Sequence, residues 1–271
     1  VTHAPAGNAV IEVGNFSFSI GKKEILRDVS FSVREQEYLT IVGPNGAGKT
    51  TLLKCLDRIY TGGTGQIHVF GRTLTSFSQR DLARLVSYVP QADGRVFPYT
   101  VEEFVLMGRY PHISPFSSIS REDRQVVREA LERTETAQFA DRRLDTLSGG
   151  ERQTAYIAAA LAQGAKVLLL DEPTTFLDYR HQAKIRELLV RINRESGVTI
   201  VSVTHDVNRA VLDSNRMVAI RDGSVVFCGT PEEIMEREVL EEIYDTPFLL
   251  VDHPHAGVPV IVPQVPGEGR P

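Results

Sequence analysis

The octapeptide GPNGAGKT, Gly43 to Thr50, constrains this chain more than any other feature. Glycines let successive backbone N–H groups turn inward around a phosphate, lysine adds a point charge, and the following hydroxyl can ligate Mg²⁺. The pattern carries that meaning only between a strand and a helix. Both flanks are present: YLTIV, Tyr38 to Val42, runs directly into the loop, and a helix is expected from Lys49 to about Arg58. The expected phosphate cradle is Gly43, Pro44, Asn45, Gly46, Ala47, Gly48, Lys49 and Thr50. The loop leaves the reaction open, because kinases, GTPases and motor-like ATPases all use it.

The strands around it narrow the choice. KVLLLDEP and VTIVSVTHD are near-continuous apolar runs of the kind buried on both faces of a parallel sheet. Between them, Ile185, Leu188, Leu189 and Ile192 form one apolar stripe of a helix from Arg180 to Glu195. Asp171 ends the first strand, where a carboxylate can serve the metal, and Glu172 can polarise an attacking water. Glu172 taken alone is also compatible with an acidic strand end facing solvent. His205 closes the second strand, where such sheets place ligand contacts, although a histidine there can also be structural.

Other segments read differently. AVIEV, FSFSI and VSFSV are expected as antiparallel strands separated by glycine and charged turns. Between about Ala92 and Thr146 the reading is helical, with TVEEFVLMG and SREDRQVVREALERTE as elements. The second opens with Ser120 and Asp123 as a capping box and carries Val126, Val127, Ala130 and Leu131 on one face. RYPHISPFSS between them reads as an exposed loop, and the proline-rich end after Pro247 as an extended arm with a frayed end.

A second anion-holding device follows about a hundred residues after the first. In LSGGERQ, Leu147 to Gln153, the turn Ser148, Gly149, Gly150 runs into a helix whose start carries partial positive charge. Two such devices in one chain need a common explanation.

The ordered set GPNGAGKT, YVPQ, LSGGERQ, LLLDEPT, FLD and VTHD resembles the nucleotide-binding subunit of an ATP-binding-cassette (ABC) transporter, from about residue 10 to 230. The resemblance implies one α/β domain: a P-loop NTPase core with a mainly parallel sheet (1–91 and 160–245), an antiparallel β subdomain, a helical insertion (92–159) and a C-terminal tail (246–271). It implies that Lys49, Thr50 and Thr51 hold ATP phosphate and Mg²⁺, that Gln91 reaches the metal and the water, and that Asp171 serves the metal. Glu172 would be the general base, His205 the γ-phosphate sensor, and Asp178 the end of the D-loop. Two copies would pack head to tail, Ser148, Gly149, Gly150 and Glu151 of one closing over ATP in the other, which accounts for both devices. ATP would then favour closure and hydrolysis would release it. The family usually stacks adenine on an aromatic residue before the first hairpin's glycine. Here that position is Ile20, with Phe18 and Phe16 on the same strand face, so weak selectivity for ATP over GTP is expected.

MGRYPH (Met107 to His112), LDYRHQ (Leu177 to Gln182) and the tail HPHAGVPVIVP are similar to stretches of a narrower group, the ATPases of type II importers for ferric siderophores, haem and cobalamin. That likeness implies membrane permease subunits as partners, a substrate-binding protein acting indirectly, and a groove formed by Gln91 and the helical insertion that receives a coupling helix. Arg109, Tyr110 and His112 read either as part of this function or as loop residues. A soluble ABC module and a P-loop kinase or GTPase remain as alternatives; the latter leaves LSGGERQ without a use.

Composition sets outer limits. Net charge is −5, from 30 Lys and Arg against 35 Asp and Glu, which argues against nucleic acid as a partner. The longest apolar run, AYIAAALA, falls far short of the roughly 18–20 residues needed to cross a bilayer. No secretory signal is visible at the start, and Cys55 and Cys228 read as small core residues of a reducing compartment. A cytoplasmic protein, peripheral on the inner face of the cell membrane, is expected. His253 and His255 flank a proline and read as a tail contact rather than a metal pair.

Overall fold

The computed structural model describes residues 8–91, 97–114, 117–255 and 257–262. Residues 92–96 of the expected insertion, 115–116 of the expected loop and 263–271 of the expected arm lie outside them. In chain order the strands are β1 (Ala9–Ile20), β2 (Lys23–Arg34), β3 (Tyr38–Val42), β4 (Thr64–Val69), β5 (Arg72–Thr73), β6 (Val86–Val89), β7 (Val167–Asp171), β8 (Thr199–Val203), β9 (Arg216–Arg221), β10 (Ser224–Gly229), β11 (Leu249–Asp252) and β12 (Pro259–Val262). The helices are α1 (Lys49–Leu56), α2 (Gln79–Ala83), α3 (Val101–Met107), α4 (Arg121–Arg133), α5 (Gly149–Ala162), α6 (Tyr179–Ser196), α7 (Val207–Asp213), α8 (Pro231–Ile234) and α9 (Arg237–Tyr244).

The central sheet runs β10-β9-β3-β8-β7-β6, parallel from β9 to β6, with β10 antiparallel at the edge. Every residue of β3, β7 and β8 is buried, as their unbroken apolar runs require. β8 lies between β3 and β7, so the carboxyl ends that carry the P-loop, His205 and Asp171 are neighbours. A second sheet, β2-β1-β4-β5, is antiparallel and packs with α1 on the same core.

Two expected strands, AVIEV and FSFSI, are one. Val13 pairs with Phe31 and Phe16 with Val29, so β1 takes three steps where β2 takes two. Asn15 supplies the extra residue at φ 47°, and its amide groups are held by Ser30 Oγ (2.8 Å) and Asp28 Oδ1 (2.7 Å). The Gly14-Asn15 turn signal marks a bulge instead.

Helices α3, α4 and α5 form the helical subdomain around Val101, Val105, Val127, Leu131 and Ala158. α5 is apolar nearly all round because it serves two cores: Ala155, Ala158 and Ala162 face the helices, while Tyr156, Ile157 and Ala160 face the sheet. The expected boundary at residue 159/160 therefore falls inside an element that both parts share.

Three further expectations are corrected. RYPHISPFSS is not simply an exposed loop: Arg109 is buried, with Nε on Asp123 Oδ1 (3.0 Å) and Nη1 on Ala162 O (2.9 Å), and His112 Nε2 bonds Gln163 O (2.8 Å). Tyr110, by contrast, is 79% exposed. The expected extended arm folds into the hairpin β11-β12, docked on α7 where Asn208 bonds both the carbonyl (2.9 Å) and the N–H (2.7 Å) of Ile261. Cys55 is buried as expected, but Cys228 is exposed on the edge strand β10.

Candidate functional site

The P-loop leaves β3 and enters α1 through backbone that only glycine adopts without strain. Gly43 has φ 137°, and a side chain there would overlap the carbonyl of Ile220; Gly48 has φ 102°, and a methyl would stand 2.8 Å from Leu26 Cδ2. Lys49 is buried, and its Nζ donates to the carbonyls of Gly43 and Pro44, both at 2.8 Å. Burial lowers its pKa, opposed by the nearby charges of Glu172 and Asp171. A desolvated ammonium in a ring of amide dipoles suits a polyanionic ligand.

Asp171 is 3% exposed and both of its oxygens are bonded. Thr50 Oγ1 donates to Oδ1 (2.8 Å) and Tyr88 OH to Oδ2 (2.9 Å). Burial first, then the charge of Asp171, pushes the Tyr88 phenol upward, so it stays a donor. Thr50, Asp171 and the Gln91 side-chain carbonyl are hard oxygen donors of the kind Mg²⁺ prefers, and Thr50 and Asp171 already meet.

Glu172 stands at φ 47°, a sparsely populated conformation for a carboxylate side chain. Its Oε2 accepts from Thr175 Oγ1 (2.7 Å) and Gln91 Nε2 (3.2 Å), and His205 Nδ1 lies 3.3 Å away. Among the described residues, these contacts all fall on one carboxylate oxygen, Oε2. The His205 side chain is 56% exposed, open to a ligand from its other face.

The structure thus brings Lys49, Thr50, Gln91, Asp171, Glu172 and His205 together, with Thr51 on the first turn of α1. It does not bring Ser148, Gly149, Gly150 and Glu151 to them. Among the described residues, no hydrogen bond or ion pair joins that turn to residues 43–51. Ser148 caps α5: its Oγ accepts from Glu151 N (3.3 Å), and Glu151 Oε2 accepts from Ser148 N (2.8 Å). Glu151 is held below the usual carboxylate range, first by that backbone bond. The Ser148 hydroxyl also bonds the Glu151 carboxylate, so the turn and the first turn of α5 form one closed local network. Asp178 caps α6 by accepting from His181 N at 2.8 Å.

At the adenine position the expectation splits. Ile20 is 51% exposed, but Phe18 is buried and stacks on Tyr60 with centroids 5.7 Å apart, so its ring faces the core rather than a base. Sequence reasoning did not single out the roles of Tyr88, Thr175 and His181. Tyr88 lies in the YVPQ segment, three residues before Gln91, and Thr175 closes DEPTT, so proximity to known motifs was the available signal.

Fold and site together define a P-loop NTPase in which a second anion-holding turn sits apart from the loop. A sequence profile described as ABC transporter matches residues 26–175. The chain belongs to the ABC transporter family and is an ATP-hydrolysing cassette of it. It is 40% identical over 240 residues to the iron(3+)-hydroxamate import ATP-binding protein FhuC of Bacillus subtilis, covering 89% of each chain. It is 39% identical over 243 residues to the ferric enterobactin transport ATP-binding protein FepC of Escherichia coli, covering 90% of each. Among solved structures it resembles a chain of an ABC transporter assigned to the metal-chelate type, in an inward-facing conformation (TM-score 0.83, 29% identity, 96% of this chain and 99% of that one). It also resembles the dimeric cassette MJ0796 in a post-hydrolysis state with ADP and Pi (TM-score 0.70, 28% identity, 82% and 98%).

Proposed function

We propose that this chain is the motor subunit of an importer for an iron chelate (siderophore or haem) or cobalamin, acting as a head-to-tail homodimer that closes around two Mg²⁺-ATP. The observation that carries the reading is the split site: the catalytic cluster ends β3, β7 and β8, while the Ser148 turn opens α5 and is bonded to none of the P-loop. One chain then supplies half of each pocket; the names of its relatives support the siderophore and haem cargoes, and cobalamin rests on the resemblance of MGRYPH, LDYRHQ and the tail alone.

In the closed state Lys49 and the loop N–H groups of one protomer bind the β and γ phosphates, and Ser148 and Gly149 of its partner meet the γ-phosphate from across. Thr50, Asp171 and Gln91 would hold Mg²⁺, which when bound would supply positive charge against the charge developing on the phosphates. Glu172 Oε1 takes the proton of the attacking water, and His205 donates toward the γ-phosphate. No helix among the described residues is long and apolar enough to cross a membrane. The relatives are import and transport ATP-binding proteins, and on that likeness the membrane work would pass through permease subunits at the cytoplasmic face. A groove of about 220 Å³ lined by Tyr88, Pro90, Phe97, Phe104 and Tyr156, with Gln91 next in sequence but not in its lining, would receive an apolar coupling helix. A substrate-binding protein would act through that permease.

The test is ATP turnover by the chain reconstituted in vesicles with the permease pair from its own cell. Chelate-loaded binding protein is expected to raise turnover several-fold over the empty form. Equal rates with and without cargo across ferric siderophores, haem and cobalamin would reject the importer reading.

A further inference from the structure

Among the described residues, the signature turn meets two side chains of the same chain at close range, Leu177 and His181. A methyl group on Gly150 would overlap Cγ and Cδ2 of the His181 imidazole and stand 2.8 Å from its Cβ; one on Gly149 would touch Leu177 Cδ2 at 3.4 Å. The Ser148 turn therefore rests directly on the end of the D-loop and the first turn of α6. His181 is in turn fixed from below. Asp178 accepts from its backbone N–H (2.8 Å), and its Nδ1 lies 2.9 and 3.0 Å from the two oxygens of the same carboxylate. One aspartate thus caps a helix and aims the ring that the signature glycines lie on.

Glycine at position 150 makes this contact possible, because any side chain would displace the ring. Nothing in the catalytic cluster uses His181. The cleft between α5 and α6 is lined by Glu151, Thr154, His181 and Lys184, so the ring stands where the helical subdomain meets α6. The remaining α5 contacts with the sheet core come from its later turns, through Tyr156, Ile157 and Ala160, so at the Ser148 end it is His181 that meets the glycines.

We infer that His181 is a positioning residue: its imidazole, aimed by Asp178, sets the attitude of the Ser148–Gly150 turn toward the partner's triphosphate, so that D-loop and signature turn move as one body. The inference rests on the head-to-tail pairing proposed above. Two substitutions separate its parts. His181→Phe keeps a ring under Gly150 and loses the bond to Asp178, while His181→Asn keeps a donor near the Nδ1 position and loses the ring.

The experiment uses the full chain carrying Glu172→Gln, with ATP-driven dimerisation followed by light scattering over an ATP titration. Binding of a fluorescent ATP analogue to the monomer, without divalent metal, serves as the second readout. Both His181 variants are expected to bind the analogue within about twofold of the parent, and to need about tenfold more ATP for half-maximal dimer, the scale of one charge-assisted hydrogen bond. With Glu172 restored, the KM for ATP should rise by a similar factor while kcat changes less. A residue that only filled space would lower thermal stability and leave these ATP dependences alone. A parental dimerisation midpoint in His181→Phe overturns the inference, since the ring would then suffice without its aspartate. Should His181→Asn fold poorly, His181→Phe carries the test, because it preserves the packed volume. If the Glu172→Gln parent itself stays monomeric at saturating ATP, the head-to-tail reading has failed, and the inference falls with it.

Discussion

At the scale of single residues, Tyr88 carries a role that its position in YVPQ does not announce. Its phenol and the Thr50 hydroxyl share the two oxygens of Asp171, so removing the phenol leaves a buried carboxylate oxygen without a donor. Outer partners of metal ligands typically control 10- to 100-fold in metal affinity or activity. Tyr88→Phe is expected to raise the Mg²⁺ concentration for half-maximal ATPase by about tenfold, with metal-free nucleotide binding unchanged; a Mg²⁺ titration of turnover checks it. Ile20 makes a different prediction. An exposed aliphatic side chain covers a purine face by area alone, without the ring-on-ring geometry that an aromatic residue offers. Matched assays with ATP and GTP should give kcat/KM values within about fivefold of each other, and Ile20→Tyr should tighten binding of both nucleotides by roughly 1 kcal/mol.

At the scale of elements, α5 depends on residues far from it in sequence. Its start is capped by its own Ser148, but its end is capped by Arg109 and His112, which take the carbonyls of Ala162 and Gln163. Arg109 also pairs with Asp123, the residue that closes the capping box of α4, so one guanidinium ties two helices of the subdomain. Arg109→Met is expected to destabilise the chain by about 1–3 kcal/mol, because Asp123 Oδ1 and the Ala162 carbonyl lose their donor while Ser120 still holds Asp123 Oδ2. Thermal unfolding would measure it. The Ser120 hydroxyl first, with Arg109 assisting, holds the Asp123 carboxyl below its ordinary range. A carboxyl whose pKa is depressed by folding adds stability that is complete above the unfolded value, near 3.9, and is lost as pH falls through the folded value. Asp123→Asn should therefore cost most at neutral pH, and the difference from the parent should shrink below about pH 4.

The same elements show what a linear reading reaches. Local chemistry was legible: the P-loop, the Ser120-Asp123 box and the buried strands ending in Asp171 and His205 each declare themselves within a dozen residues. What escaped was set by partners distant in sequence. Arg109 looks like a loop residue until Ala162 is placed beside it, and Phe18 looks available to a base until Tyr60 takes its ring. Gly14-Asn15 has the composition of a turn, and only pairing with Ser30 and Asp28 turns it into a bulge. The tail's prolines do exclude a helix, but its pairing as a hairpin depends on Asn208.

At the scale of the whole molecule, that hairpin closes a third core, which runs from the C-terminal segment to the root of the P-loop. Val42, the last residue of β3, packs in one cluster with Val211, Ile234, Leu240, Ile243 and Val258, and Leu250 and Ile261 of the hairpin rest against it. Asn208 is the polar fastener, its amide matching a strand edge with a donor and an acceptor at once. Losing both bonds costs on the order of 1–3 kcal/mol, less than the apolar contacts that remain, so the hairpin should open locally rather than unfold the chain. In Asn208→Ala, hydrogen exchange of residues 249–252 and 259–262 is expected to accelerate by about 10- to 100-fold, while amides of β3, β7 and β8 keep their protection. If β3 loosens with the hairpin, the third core transmits opening to the P-loop itself, and nucleotide affinity should then fall in the same variant. Unchanged affinity together with fast tail exchange would assign the hairpin a purely local stability, separate from the site at the head of the sheet.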